Sequence, residues 1–190
     1  GLGWRGKHTL LLDRTHGSMS FLGELYVDLP LPTTPPSQPH CGSCTACIDV
    51  CSTEAIRADG DGVAVEPHLC MGCGACTLVC PSGAMSYAYP AMTDQGERVR
   101  TLISTYAGAG GRDATILLHA EDSRETIARM ARRGRGLPAR VIPLEVHHVA
   151  STGIDLWLAA LAWGAAGVSV LFTGDEAPQY REALAFQMRL

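Results

Sequence analysis

Outside one window the chain has no cysteine at all: all eight lie between Cys41 and Cys80. The stretch that follows therefore offers no disulfide and no sulfur ligand for a metal. Charge is thin, at 18% of residues with a net charge of −4. That balance argues against the broad attraction to phosphate backbones on which wholesale nucleic-acid binding depends. No secretory leader precedes the cysteines, so a reducing cytoplasm is the expected compartment. The chain opens on Gly1 rather than Met, as expected of a fragment or a processed product. One uncharged run, Leu156 to Thr173, reaches 18 residues, near the lower limit for a membrane helix. Gly164 and Gly167 interrupt it, and Val168 to Phe172 reads as a strand. A buried helix followed by a buried strand is the expectation, with no membrane insertion.

What charge there is falls unevenly. Residues 37–90 carry Asp49, Glu54, Asp59, Asp61 and Glu66 against Arg57 alone, which accounts for the whole negative excess. The same region holds an internal repeat. CGSCTACIDVCSTEAI, from Cys41 to Ile56, aligns with CMGCGACTLVCPSGAM, from Cys70 to Met85. Cys41, Cys44, Cys47 and Cys51 fall on Cys70, Cys73, Cys76 and Cys80, and Ala46, Val50 and Ala55 fall on Ala75, Val79 and Ala84. Two copies of one unit imply a pseudo-twofold domain with one site in each half.

A C-x-x-C-x-x-C loop lets three thiolates reach three corners of one [4Fe–4S] cube, and a fourth cysteine completes it. Zinc sites more often separate two C-x-x-C pairs by a longer loop and do not need three cysteines in seven residues, twice. The small residues between the ligands, Gly42, Ser43, Gly72 and Gly74, let backbone N–H groups approach the sulfurs. The second copy ends Cys80-Pro81, while the first has Ser52 where proline is usual.

Residues 40–90 resemble bacterial-type dicluster ferredoxin domains. The resemblance implies that the fourth ligand is exchanged between the halves. Cys41, Cys44, Cys47 and Cys80 then hold one cluster, and Cys70, Cys73, Cys76 and Cys51 hold the other. GLGWRGKHTLLL, FLGELYVDLPLP and HCGSCTACID, over about residues 1–51, resemble the region where epoxyqueuosine reductase enters its iron–sulfur domain. That family uses a cobalamin and two [4Fe–4S] clusters to reduce epoxyqueuosine in tRNA, and the part holding its catalytic acid is not expected here. More weakly, HHVASTGIDLWLAALAWGAAGVSVL is similar to the delta subunit of methyl-viologen-reducing hydrogenase, which implies electron transfer between larger partners.

The periodicities divide the chain into four. Residues 1–39 are an opening segment and a Pro-rich linker, Leu29 to Pro39, extended rather than helical. Residues 40–90 are the dicluster domain, and 91–111 a connecting helix, near Glu97–Tyr106, with a Gly-rich linker. Residues 112–190 form a small α/β domain, whole or truncated. Its strands are expected at Ala114–His119, Arg140–Val146 and Val168–Phe172, its helices after an Asp122-to-Glu125 capping box, at Gly153–Ala166 and at Pro178–Leu190. Pro143 marks the second strand as an edge or a bulge. The fold class is an α+β dicluster ferredoxin-like domain followed by a small α/β parallel-sheet domain.

Three weaker signals have plain explanations. Gly1-Leu-Gly-Trp-Arg-Gly6 matches a dinucleotide fingerprint without its preceding strand, and His8 stands where a P-loop needs Ser or Thr. His147 and His148 would face opposite ways on a strand and more simply end it; the loop Ala150–Gly153 beyond them is where such a domain would bind something. Arg124, Arg129, Arg132, Arg133 and Arg135 read as a solvated helix face. The reading is therefore a cytoplasmic iron–sulfur, electron-transfer protein. It passes single electrons to or from a redox partner or a larger oxidoreductase complex and transforms no substrate alone. The alternative is a truncated or diverged epoxyqueuosine reductase, an oxidoreductase with tRNA as partner and cobalamin as a further cofactor.

Overall fold

The computed structural model describes residues 43–60, 62–81, 84–87 and 90–190, together with the backbone of 4–5 and 11–12. Cys41, Gly42, the Pro-rich linker and most of the Gly1–Gly6 motif lie outside the described residues. An N-terminal α+β region with a small antiparallel sheet precedes an α/β region with a parallel sheet. At the start, β1 (Trp4–Arg5) pairs antiparallel with β2 (Leu11–Leu12).

The two cysteine repeats fold alike at first. Helix α1 (Ala46–Asp49) lies 29 residues before α2 (Ala75–Val79), the offset of the sequence repeat, and the two short helices pack together. After the first copy the chain runs through β3 (Ile56–Asp59) and back through β4 (Gly62–Val65), in register from Ile56↔Val65 to Asp59↔Gly62. Gly60 has φ +56° at that reversal, the left-handed conformation a tight hairpin turn demands. The alternation of IRAD and GVAV around Asp59-Gly60 is a hairpin signal absent from the sequence reading above.

A long helix, α3 (Met92–Gly108), leads into the second region. There β5 (Thr115–Ala120), α4 (Arg124–Arg133), β6 (Val141–Val146), α5 (Ile154–Ala162), β7 (Gly167–Val170) and α6 (Pro178–Gln187) alternate. The strands are parallel in the order β6-β5-β7, with Thr115 opposite both Val141 and Gly167. Pro143 lies on an edge strand, as its missing N–H leads one to expect. The capping box does not form: α4 starts at Arg124 behind a 3-10 turn, Glu121–Ser123, and Ser123 Oγ donates to its neighbour Asp122 Oδ1 at 3.2 Å. The uncharged run at 156–173 resolves into α5, a turn at Gly164 with φ +100°, and β7. Among the described residues no helix is long and apolar enough to cross a membrane.

One apolar core joins both regions. Ile116 and Leu118 of β5, Leu144 and Val146 of β6, Val99 and Ile103 of α3, and Leu156 and Trp157 of α5 bury together with Leu78 of α2. A second, smaller cluster sets Val50 and Ala75, beside the two cysteine motifs, against Ala150 and Tyr180. A tight contact between backbones lies at Gly74, with φ +79°, where an added Cβ would lie 2.7 Å from Ser151 Cα and 3.2 Å from the Tyr87 ring. Only glycine satisfies both the backbone angle and that spacing. Gly74→Ala is expected to lower stability by about 2 kcal/mol or more, by overpacking and strain together. Gly60→Ala, with nothing within 4 Å, should cost only the strain, ~1 kcal/mol. Anaerobic denaturation of the two variants checks this, and equal losses would refute the tight contact.

Candidate metal centre

The short helices α1 and α2 each follow a loop that carries sulfur. In the second copy, Cys70 is exposed, while Cys73 and Cys76 are half-buried. Gly72 and Gly74 both take left-handed backbone, at φ +70° and +79°, so the loop curls instead of running on as helix. Tyr87 reaches back from beyond α2 and donates its hydroxyl to the Gly72 carbonyl. Burial first, then the sulfurs of Cys73, Cys70 and Cys76, push the Tyr87 phenol up. Burial pushes the Cys76 thiol up to about 11, with Cys73 and Cys70 adding to it.

In the first copy, Cys44 is exposed and Cys47 half-buried. Thr45 Oγ1 donates to Asp49 Oδ2 at 2.7 Å, holding the single turn of α1. Cys51, just beyond that turn, has a different environment. Burial raises its thiol, but the Thr53 hydroxyl at 3.6 Å and backbone N–H groups of Ala55, Thr53 and Ile56 outweigh that and hold it below the ordinary value. N–H groups aimed at a sulfur favour its thiolate, the form that ligates iron. Cys80 lines a cavity of about 320 Å³ with Tyr87, Ser151, Asp155 and Gln187. Cys41 lies outside the described residues.

The α/β region closes over the second loop. The expected binding loop at Ala150–Gly153 is there, but its face is filled by the cysteine loop itself, with Gly74 on Ser151. His147 and His148 follow the end of β6 and do not form a pair of ligands. His148 Nδ1 accepts from Ala150 N–H at 3.1 Å, capping the turn Val149–Ser151, and burial depresses its pKa. From α6, Tyr180 meets Cys73 Sγ at 3.4 Å and Gln187 accepts from Ile154 N–H at 2.8 Å while donating to the Leu78 carbonyl. Tyr180 and Gln187 were missed from sequence. Tyr180, Ala183, Leu184 and Gln187 do fall at i, i+3, i+4 and i+7, a spacing that marks a buried helix face without saying what it meets.

The basic helix face is partly neutralised from within. Arg124 Nε donates to Glu145 Oε2 at 2.6 Å, and Arg132 pairs with Glu125 at 2.9 Å.

The donor set fits iron–sulfur clusters. Among the described residues no three His, Cys, Asp or Glu side chains converge as a single ion needs. A cube asks for something else, because its thiolates sit on separate irons at separate corners. Soft sulfur donors, curled glycine loops and N–H groups directed at Cys51 are the surroundings such a group requires.

Comparison with known proteins agrees on the chemistry and alters the reading of the role. Residues 40–84 match the 4Fe-4S dicluster domain family. The chain is 45% identical over 102 residues to the epoxyqueuosine reductase of Xanthomonas campestris, covering 43% of this chain and 29% of that protein. It is 44% identical over 105 residues to that of Vibrio cholerae, covering 43% and 28% respectively. With that of Alicycliphilus denitrificans the identity is 64% over 58 residues, 30% of this chain and 16% of the relative. The chain thus spans less than a third of the length of these relatives. No solved structure matches it. The expectation of a carrier rather than an enzyme is corrected here, because the curated proteins the chain resembles are, species after species, reductases.

Proposed function

We propose that this chain is the iron–sulfur part of an oxidoreductase of the epoxyqueuosine reductase kind, in which two [4Fe–4S] clusters feed electrons to a reductive site. The observation that carries this is the doubled cysteine motif inside the region that matches the dicluster family, residues 40–84. The clusters, when bound, supply one-electron transfer at potentials between roughly −700 and +450 mV. Cys41, Cys44, Cys47 and Cys80 hold one, and Cys70, Cys73, Cys76 and Cys51 the other. Support for the second grouping comes from Tyr180, whose hydroxyl meets Cys73 Sγ at 3.4 Å and the hydroxyl of Ser52, the residue next to Cys51. One ring therefore lies within reach of a member of each repeat.

The chain's own residues do the rest of the work. Backbone N–H groups around Cys51 favour the thiolate, Tyr87 and the two left-handed glycines shape the loop, and the α/β region packs against one side of it. Epoxyqueuosine in tRNA is the substrate proposed for the whole protein and cobalamin its further cofactor. The compartment is the cytoplasm, where thiols stay reduced.

Anaerobically purified chain should contain about eight irons and eight acid-labile sulfides. Roughly two zinc ions per chain without broad visible absorption would refute the cluster reading. The ligand exchange makes a sharper prediction. Cys51→Ala should convert the cluster of Cys70, Cys73 and Cys76 to a three-iron form, and Cys80→Ala the cluster of Cys41, Cys44 and Cys47. Pairing each substitution with a second one in either triplet locates the altered cluster by EPR. Damage to the cluster adjacent in sequence would contradict the exchange while leaving the cluster count intact. Bound cobalamin in the full-length protein containing this chain, with epoxyqueuosine-dependent oxidation of the reduced clusters, tests the reductase assignment; reduced clusters indifferent to that substrate would count against it.

A further inference from the structure

Tyr180 is a polar side chain buried to 2% exposure at the seam between the cysteine loops and the α/β region. Val50, Ala75 and Ala150 pack around it, and the His148 ring stands edge-on at 5.2 Å, so packing fixes where the hydroxyl points. That hydroxyl meets Ser52 Oγ, Cys73 Sγ at 3.4 Å and Met71 Sδ at 3.7 Å. Cys73 belongs to the second triplet, and Ser52 directly follows Cys51, the fourth ligand proposed for the same cluster. As a bare thiol, Cys73 donates to the tyrosine oxygen. As an iron-bound thiolate it has no proton to give, so the hydrogen on that line must come from tyrosine. A thiolate is a far better acceptor than the Met71 thioether, and Ser52 O–H is then free to donate to the tyrosine oxygen.

Resting on the two-cluster reading above, we propose that Tyr180 sets the potential of the cluster held by Cys51, Cys70, Cys73 and Cys76, donating its hydroxyl hydrogen to the Cys73 thiolate with Ser52 as the supporting donor. An added electron makes the cluster and its sulfurs more negative, and a hydrogen-bond donor stabilises that reduced form more than the oxidised one. The potential is therefore higher with the hydroxyl than without it. Donation from Ser52 polarises the tyrosine O–H and strengthens the effect. This gives a reason for Ser52, which stands where the ferredoxin pattern has proline: proline has no hydroxyl to offer. It also gives the C-terminal helix a part in the redox chemistry.

The test is a redox titration of the whole chain, loaded anaerobically and followed by EPR. Tyr180→Phe, which keeps the ring and its packing, should lower the midpoint of one cluster by about 59 mV, a tenfold change in its one-electron reduction equilibrium, and leave the other in place. Ser52→Ala, at an exposed position, should move the same cluster the same way by less. Loaded Tyr180→Phe protein with both midpoints unchanged, or with one raised, overturns the proposal. If Tyr180→Phe does not take up clusters, Ser52→Ala decides alone, and an unmoved midpoint overturns the proposal equally. Wild-type chain that binds no cluster would sink the two-cluster reading instead; loaded clusters with unmoved potentials would sink only the role of Tyr180.

Discussion

The approach of the second cysteine loop to the turn after β6 is the contact on which the rest of the structure depends. With Gly74 lying so close to Ser151 that a single Cβ would collide, the loop's backbone is pressed against a rigid neighbour. The chain around it then has few choices. Leu78 enters the apolar core beside the sheet, Gln187 ties the end of α2 to the start of α5, and Tyr180 comes to rest beside Cys73. A loop that must present three sulfurs in fixed directions gains from being held this way, because a packed interior yields little to side-chain or backbone drift.

Electrostatics sets the two halves of the cysteine region apart. Burial and neighbouring sulfurs push the Cys76 thiol up, while N–H donors hold Cys51 below its ordinary value. A bound cluster would take these sulfurs as thiolates, and its iron would supply the positive charge that offsets their desolvation. The acidic excess confined to residues 37–90 adds negative charge around an already anionic group. Hydrogen-bond donors near the sulfurs, the proposed Tyr180 hydroxyl among them, would act against that charge.

Much of this was legible in the sequence, for identifiable reasons. The repeat could be read because ligand spacing is a covalent constraint that tolerates little variation. The three strands could be read because parallel strands are apolar on both faces, as in TILLHA and GVSV. The start of α4 was misread: Asp122 and Glu125 have the capping spacing, but a 3-10 turn carries the chain into the helix. What packs against the cysteine loop was not legible, since periodicity marks the buried face of α6 and not its partner. Burial adds that Leu78 and Val99 share one core with Ile116, a relation between distant segments that composition does not carry. Ser52, which departs from the proline of the motif, lies against the Tyr180 hydroxyl, a neighbour 128 residues away that no local pattern announces.

The proposed function requires two clusters side by side in one folded unit. EPR of the fully reduced chain tests it most directly, because neighbouring paramagnetic clusters couple through space. Two reduced clusters should give a signal integrating to about two spins per chain, broadened by mutual interaction and simplifying when one cluster is left oxidised. A sharp spectrum from one isolated cluster, unchanged by partial oxidation, would contradict it.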